Sequence, residues 1–170
     1  MHPNDQLVIE RATLDDVETI ADRWVSLARE QRSHGSHVLA EPNRGTIVDV
    51  LGAHRVADGL LVGRLDDEIV GFATFTVEHG SFDLDVTRGV LTNLYVAPDR
   101  RNRGIGSTLL TAVESELASR NVAVLSLEVL ADNEAARRFY QRNGYHDHRV
   151  TLERPIERTG ENDTHSKQQR

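Results

Sequence analysis

Groups suited to holding an anion stand together near the middle of the chain. The apolar run Val90 to Val96 has strand composition, and Pro98 closes it. The turn Arg100-Arg101-Asn102-Arg103 then leads into Gly104-Ile105-Gly106-Ser107, where an amphipathic helical pattern begins. A helix N-terminus presents unpaired N–H groups at the positive end of its dipole, so anions settle there. Glycines let that backbone approach a diphosphate closely, and the flanking arginines add charge that a phosphate attracts. The alternative is an ordinary strand-to-helix turn whose glycines only relieve strain. The arginines and the elements on both sides favour the diphosphate site.

A second chemical signal is Glu128, a carboxylate that interrupts the apolar run Val122 to Leu130. A charge buried there without purpose would be expensive. His34 and His37 sit three positions apart in a loop-like segment, but no acid or third histidine accompanies them at a useful spacing. Metal binding is therefore not expected. The chain has no cysteine, which excludes disulfides, thiolate metal sites and a cysteine nucleophile.

These groups need a scaffold, and the hydrophobic pattern describes one. Val8 to Arg11 reads as a first strand. Thr13 offers an N-cap with Asp15 and Asp16 in the first turn, and Val17, Ile20, Ala21, Trp24, Leu27 and Ala28 form the apolar stripe of a helix. A loop over Ser33 to Pro42 precedes a second helix, Asn43 to Val56, with Ile47, Val48, Leu51 and Val56 inward. Leu60 to Arg64 and Ile69 to Val77 flank the acidic turn Asp66-Asp67-Glu68, a hairpin signal. After a loop at His79 to Asp85 comes the strand ending at Val96, then a helix with Ile105, Leu109, Leu110, Val113 and Leu117 inward. Val122 to Leu130 is long enough for a central strand, Asn133 to Arg142 is helical up to Asn143-Gly144, and Arg149 to Glu153 reads as a last strand. Strands and helices alternate after a largely antiparallel start, so the expected fold is α/β, a mixed sheet covered by helices.

At 170 residues the pattern suits one domain, residues 1–154, followed by a polar tail over 155–170. A net charge of −7 disfavours nucleic acid as a partner and mildly favours a cationic substrate such as an amine. No apolar stretch approaches the roughly 18 residues of a membrane span, so no membrane partner is expected. The start of the chain lacks a secretory layout, which leaves a cytoplasmic location as the expectation.

Four features recur in order: the strand end Leu94-Tyr95-Val96, the turn Arg101-x-x-Gly104-x-Gly106, the strand end Leu127-Glu128-Val129, and Asn133-x-x-Ala136-x-x-Phe139-Tyr140 running to Gly144-Tyr145. Together they resemble the GCN5-related N-acetyltransferase (GNAT) superfamily over roughly residues 7–153, and most specifically over 90–145. The resemblance implies a mixed, largely antiparallel central sheet whose fourth and fifth strands splay apart to admit a thioester. It implies acetyl-CoA as acyl donor. Its pyrophosphate would be wrapped by Arg101, Asn102, Arg103, Gly104, Ile105, Gly106 and Ser107, its pantetheine arm and acetyl carbonyl held by the main chain of Leu94, Tyr95 and Val96, and its pantetheine touched by Asn133.

The resemblance also implies roles for two side chains. Tyr140 takes the place of a tyrosine that donates a proton to the departing thiolate, while Phe139 belongs to the core. Glu128 precedes Tyr140 by twelve positions, as in ribosomal-protein N-terminal acetyltransferases. A partly buried glutamate there would accept the amine proton through water, and a structural carboxylate is an equal reading. Glu78, Asp83 and Asp85 are rival bases. Arg137 and Arg138 read as helix-surface charge. The expected reaction is direct attack by a primary amine in a ternary complex, the amine belonging to a small molecule or to a peptide or protein N-terminus. A homodimer is a further expectation from the family. A non-catalytic acyl-CoA-binding or regulatory domain is the alternative reading.

Overall fold

A computed structural model describes residues 6–157. Five strands form one sheet in sequential order: β1 (Val8–Arg11), β2 (Leu60–Leu65), β3 (Glu68–Val77), β4 (Arg88–Val96) and β5 (Val124–Leu127). Neighbours pair antiparallel except β4 and β5, which run parallel. Two helices, α1 (Val17–Arg32) and α2 (Arg44–Val56), connect β1 to β2; α3 (Ile105–Ser119) joins β4 to β5, and α4 (Glu134–Arg142) follows β5.

The two faces of the sheet carry separate cores, as the period-two alternation of strand side chains requires. On one face Leu60, Val62, Phe72, Tyr95 and Ala97 meet Val17, Ile20, Ala21 and Leu27 of α1 and Ile47 and Leu51 of α2. On the other, Leu61, Val70, Ala73, Phe75 and Leu91 meet Ile105, Leu109, Leu110, Val113 and Leu117 of α3. α3 is closely seated: a Cβ at Gly89 would stand 2.7 Å from a Leu117 methyl.

The entry to α1 is held by a buried carboxylate. Asp16 accepts from the Thr13 main-chain N–H (2.7 Å) and pairs with Arg64 (2.7 Å), which also reaches Glu10. Burial pushes the Asp16 carboxyl up, but the Arg64 and Thr13 hydrogen bonds outweigh it and hold the group below its usual range.

Four local expectations need correction. Val56 is 75% exposed, because α2 ends there and the last turn projects beyond the sheet. The run Val122 to Leu130 gives only a four-residue strand, paired on one side alone, so β5 is an edge among the described residues rather than a central strand. Glu128 lies beyond its end and is exposed, not partly buried. Arg149 to Glu153 forms no strand: Val150 and Leu152 are 74% and 89% exposed. Of the expected tail, residues 158–170 lie outside the described residues.

Candidate active site

The β4–β5 pairing stops at Leu91 opposite Leu127, whereas β4 runs on to Val96. Thr92 is an extra residue in β4, since Thr74 pairs with Asn93 and the next residue, Phe75, pairs with Leu91. Such a bulge bends its strand and increases its twist, and here it coincides with the point where the two strands part. The outer edge of β4 from Thr92 onward therefore has no strand partner among the described residues.

Which main-chain groups face that edge follows from strand alternation. Ala97 N–H donates to Val70 O on β3 (2.8 Å), so Ala97, Tyr95 and Asn93 turn their main-chain polar groups toward β3. Leu94 and Val96 turn theirs outward. The Val96 carbonyl accepts from Arg101 Nε (2.9 Å), which leaves the Leu94 N–H and C=O and the Val96 N–H along the slot. Tyr95 is 3% exposed, and its ring packs against Phe72 and under the Arg101 guanidinium.

At the end of this edge the turn wraps a patch of bare donors. None of the six main-chain N–H groups from Asn102 to Ser107 donates to a protein acceptor among the described residues; the first helical bond runs from Thr108 to Gly104 O (3.0 Å). Gly104 sits at φ +81° as the N-cap of α3 with no side-chain cap, and Asn102 is also left-handed at φ +61°. Alternating backbone of this kind aims successive N–H groups into one concavity, an anion nest at the positive end of the α3 dipole. A Cβ at Gly104 would meet nothing within 4 Å, so the space beside it is open.

The arginines divide in their tasks. Arg101 clamps the turn to α1, reaching both carboxylate oxygens of Glu30 at 2.9 Å as well as the Val96 carbonyl. Arg103 is exposed and forms no ion pair among the described residues, so its charge is available to a ligand. Gly106 serves packing as much as access: a Cβ there would lie 3.3 Å from two ring atoms of Phe139. Sequence reasoning missed Glu30, and nothing in an amphipathic helix pattern singles it out.

α4 begins at Asn133, whose side-chain oxygen accepts from Ala136 N–H (3.1 Å), leaving the amide NH₂ unengaged. Phe139 of α4 packs against Gly106 at the start of α3. Tyr140 stacks edge-on between Phe139 (5.1 Å between centroids) and Tyr145 (5.9 Å). Burial pushes its phenol up to about 12, so it stays protonated across the neutral range. Tyr145 donates to Glu114 (2.9 Å); its phenol is also held above its ordinary range, by burial first and then by that carboxylate.

Leu125 and Leu127 of β5 pack toward α3. Glu128 is exposed one residue past the end of β5, where β4 and β5 part. Among its rivals, Glu78 is bound to Arg88 through both oxygens, one at 2.8 Å; the Arg88 hydrogen bond holds it below the usual carboxylate range and leaves it a poor proton acceptor. Asp83 and Asp85 lie exposed in the β3–β4 loop, beside a hollow of about 400 Å³. His37 contacts Glu153 (2.9 Å), and no cluster of three metal-ligating side chains occurs among the described residues. No described helix is long and apolar enough to cross a membrane.

The sheet opens at its fourth strand, with an anion nest at the end of the opening. The family model described as "Acetyltransferase (GNAT) family" matches residues 16–145, and the chain belongs to that family. A curated relative, mycothiol acetyltransferase of Clavibacter michiganensis, is 34% identical over 155 residues, covering 86% of this chain and 45% of its own length. The chain thus spans less than half of that relative. The [ribosomal protein bS18]-alanine N-acetyltransferase of Salmonella typhimurium is 35% identical over 82 residues, 48% of this chain and 51% of its own. A crystal structure of a GCN5-related N-acetyltransferase from Ralstonia eutropha superposes with a TM-score of 0.70 at 25% identity, covering 89% of this chain and 99% of the other.

Proposed function

We propose that this chain transfers an acetyl group from acetyl-CoA to a primary amine, by direct attack of the amine in a ternary complex. The observation that carries this reading is the row of six unpartnered N–H groups from Asn102 to Ser107, adjoining the unpaired edge of β4. The nest suits a pyrophosphate, with Arg103 adding charge from outside. The Leu94 and Val96 main chain suits an extended amide arm laid along β4 as a further strand would be. The donor's thioester supplies the activated acyl group, and main-chain N–H groups beside Val96 polarise its carbonyl.

Tyr140 stands ready for the departing sulfur. An ordinary thiol has a pKa of roughly 8.5, well below about 12 for this phenol. Full proton transfer from Tyr140 is thus uphill, and its main contribution is a hydrogen bond donated to the thiolate as charge builds there. Glu128, at the solvent-facing mouth of the slot, takes the amine proton through water and returns it to solvent. The acceptor is a peptide or protein N-terminus or a small amine, the two classes represented among the relatives by the ribosomal-protein and mycothiol acetyltransferases.

Calorimetric titration with acetyl-CoA, on the native chain and on Gly104→Glu, tests the reading. The substitution places bulk and negative charge in the nest. Binding in the micromolar range that the variant loses is the expected result. A folded native protein that binds no acetyl-CoA would overturn the proposal.

A further inference from the structure

The strand segment that opens the slot carries a polar chain that the proposed chemistry has not used. Thr74 is completely buried on β3, on the face covered by α1 and α2, because its neighbour two residues earlier, Phe72, packs there. Its hydroxyl lies 2.6 Å from that of Thr92, the bulged residue, and accepts from the Asn93 amide Nδ2 at 2.8 Å. Thr92 in turn donates to the Thr74 main-chain carbonyl (3.1 Å). That last bond sets the direction of the whole chain, from which the amide orientation is assigned: Asn93 NH₂ to Thr74 hydroxyl, Thr74 hydroxyl to Thr92 hydroxyl, Thr92 hydroxyl to carbonyl.

The consequence concerns the other end of the amide. With Nδ2 tied to a buried hydroxyl, Asn93 Oδ1 is left with its lone pairs free. No described group donates to it, and it is not among the buried atoms sealed from solvent without a partner. Asn93 shares its face with Tyr95, the side covered by α1 and α2, and stands next to the point where β4 and β5 separate. A fixed, solvent-reachable carbonyl oxygen beside the slot recognises an N–H donor. It cannot take a proton at neutral pH, so it binds an amine without competing for the proton that Glu128 removes.

We infer that Asn93 is the acceptor-binding residue. Its Oδ1 accepts one N–H of the incoming primary amine and so turns the nitrogen lone pair toward the thioester held along Leu94 and Val96, while Thr74 acts as the positioning residue that locks the amide. This rests on the acetyl-transfer reading above and names the residue that selects an amine.

The test uses the full chain saturated with acetyl-CoA, with an alanine-initiated hexapeptide and butylamine as probes. Side-chain amide signals are followed by ¹⁵N NMR and thiol release is followed kinetically. In the native protein the Asn93 side-chain signal moves on titration with either probe. Asn93→Ala raises the acceptor KM about tenfold or more, as loss of one hydrogen bond to a polar or charged partner implies, with acetyl-CoA affinity unchanged by calorimetry. Thr74→Val, nearly isosteric, lowers kcat more than it raises KM, because the amide stays but is no longer locked. The inference is overturned if the Asn93 signal is unmoved by both probes, or if the Asn93→Ala variant, folded by its thermal transition, keeps the native KM. Failure of acetyl-CoA to bind the native chain would instead strike the underlying reading, so the two failures are distinct.

Discussion

Gly104 and Gly106 look alike in the turn sequence, yet alanine at each should fail for different reasons. At Gly104 the obstacle is conformational. An L-residue at φ +81° costs about 1–2 kcal/mol, and the open space around its Cβ position offers no compensating contact. Gly104→Ala should therefore lower Tm by roughly 2–8 °C, using about 2–4 °C per kcal/mol for a domain of this size. Acetyl-CoA affinity should fall too, since the methyl enters the nest. At Gly106, inside α3, alanine gains about 1 kcal/mol of helix propensity. Its Cβ lies 3.3 Å from the Phe139 ring, closer than ordinary contact, so Phe139 must give by a few tenths of an ångström. Overpacking of that kind costs about 1–3 kcal/mol. The net cost is thus about 0–2 kcal/mol, a fall in Tm of at most roughly 8 °C. However, Tyr140 adjoins Phe139 and moves with it, so kcat should fall several-fold while acetyl-CoA affinity holds. Phe139→Leu makes room for the methyl, and a double-mutant cycle between 106 and 139 should show coupling above the roughly 0.3–0.5 kcal/mol of independent sites. Thermal melts and calorimetry on these four proteins and on Gly104→Ala decide the matter. Additive effects at 106 and 139, or a Gly104→Ala protein as stable as native, would refute the reasoning.

Arg101→Leu should destabilise the protein by about 1–3 kcal/mol, because the Val96 carbonyl and Glu30 lose their shared partner, and its acetyl-CoA affinity should fall less than that of Arg103→Ala; denaturant unfolding and calorimetry separate the two. Tyr140→Phe should cut kcat with little change in acetyl-CoA affinity; unchanged turnover would remove Tyr140 from the mechanism, whereas a native chain that binds acetyl-CoA and turns over no amine would be a non-catalytic binding domain. Because the folded pKa of Tyr140 is raised from 10.0 to about 12, its contribution is complete below about pH 10 and is lost as pH rises through about 12. Tyr140→Phe should flatten the alkaline fall of stability in that window, worth up to about 2–3 kcal/mol, as read from unfolding curves. Asp16 works with the opposite sign: its folded pKa is lowered, so its contribution is present above the ordinary carboxylate range and lost as pH falls through it. Asp16→Asn should blunt acid unfolding, and Asp16→Ala should cost about 1–3 kcal/mol at neutral pH by stripping Arg64 and Thr13 of their partner.

Local chemistry was legible wherever a single residue type has one physical meaning. Glycine at a strand-to-helix turn, Asn-Gly at a helix end, and apolar residues at helical spacing located the α3 start, the α4 end and most of the inward residues of α1, α2 and α3 from the chain alone.

What the sequence determined by itself is thus the order of the elements up to α4, most of the faces that the helices bury and the glycine turn into α3, because these depend on periodicities and backbone preferences spanning a few residues. Pairings between distant segments were decided only in three dimensions. Arg101 bonds to Glu30 rather than reaching outward, Gly106 makes room for Phe139, and Thr74 orients Asn93 across two strands. The same holds for Val122 to Leu130: its composition favours a long buried strand, but β4 bends away after Leu91 and leaves the run without a partner, so Glu128 emerges exposed where burial had been expected. A strand exists only as far as its neighbour runs beside it, and no local pattern in β5 records where β4 turns away.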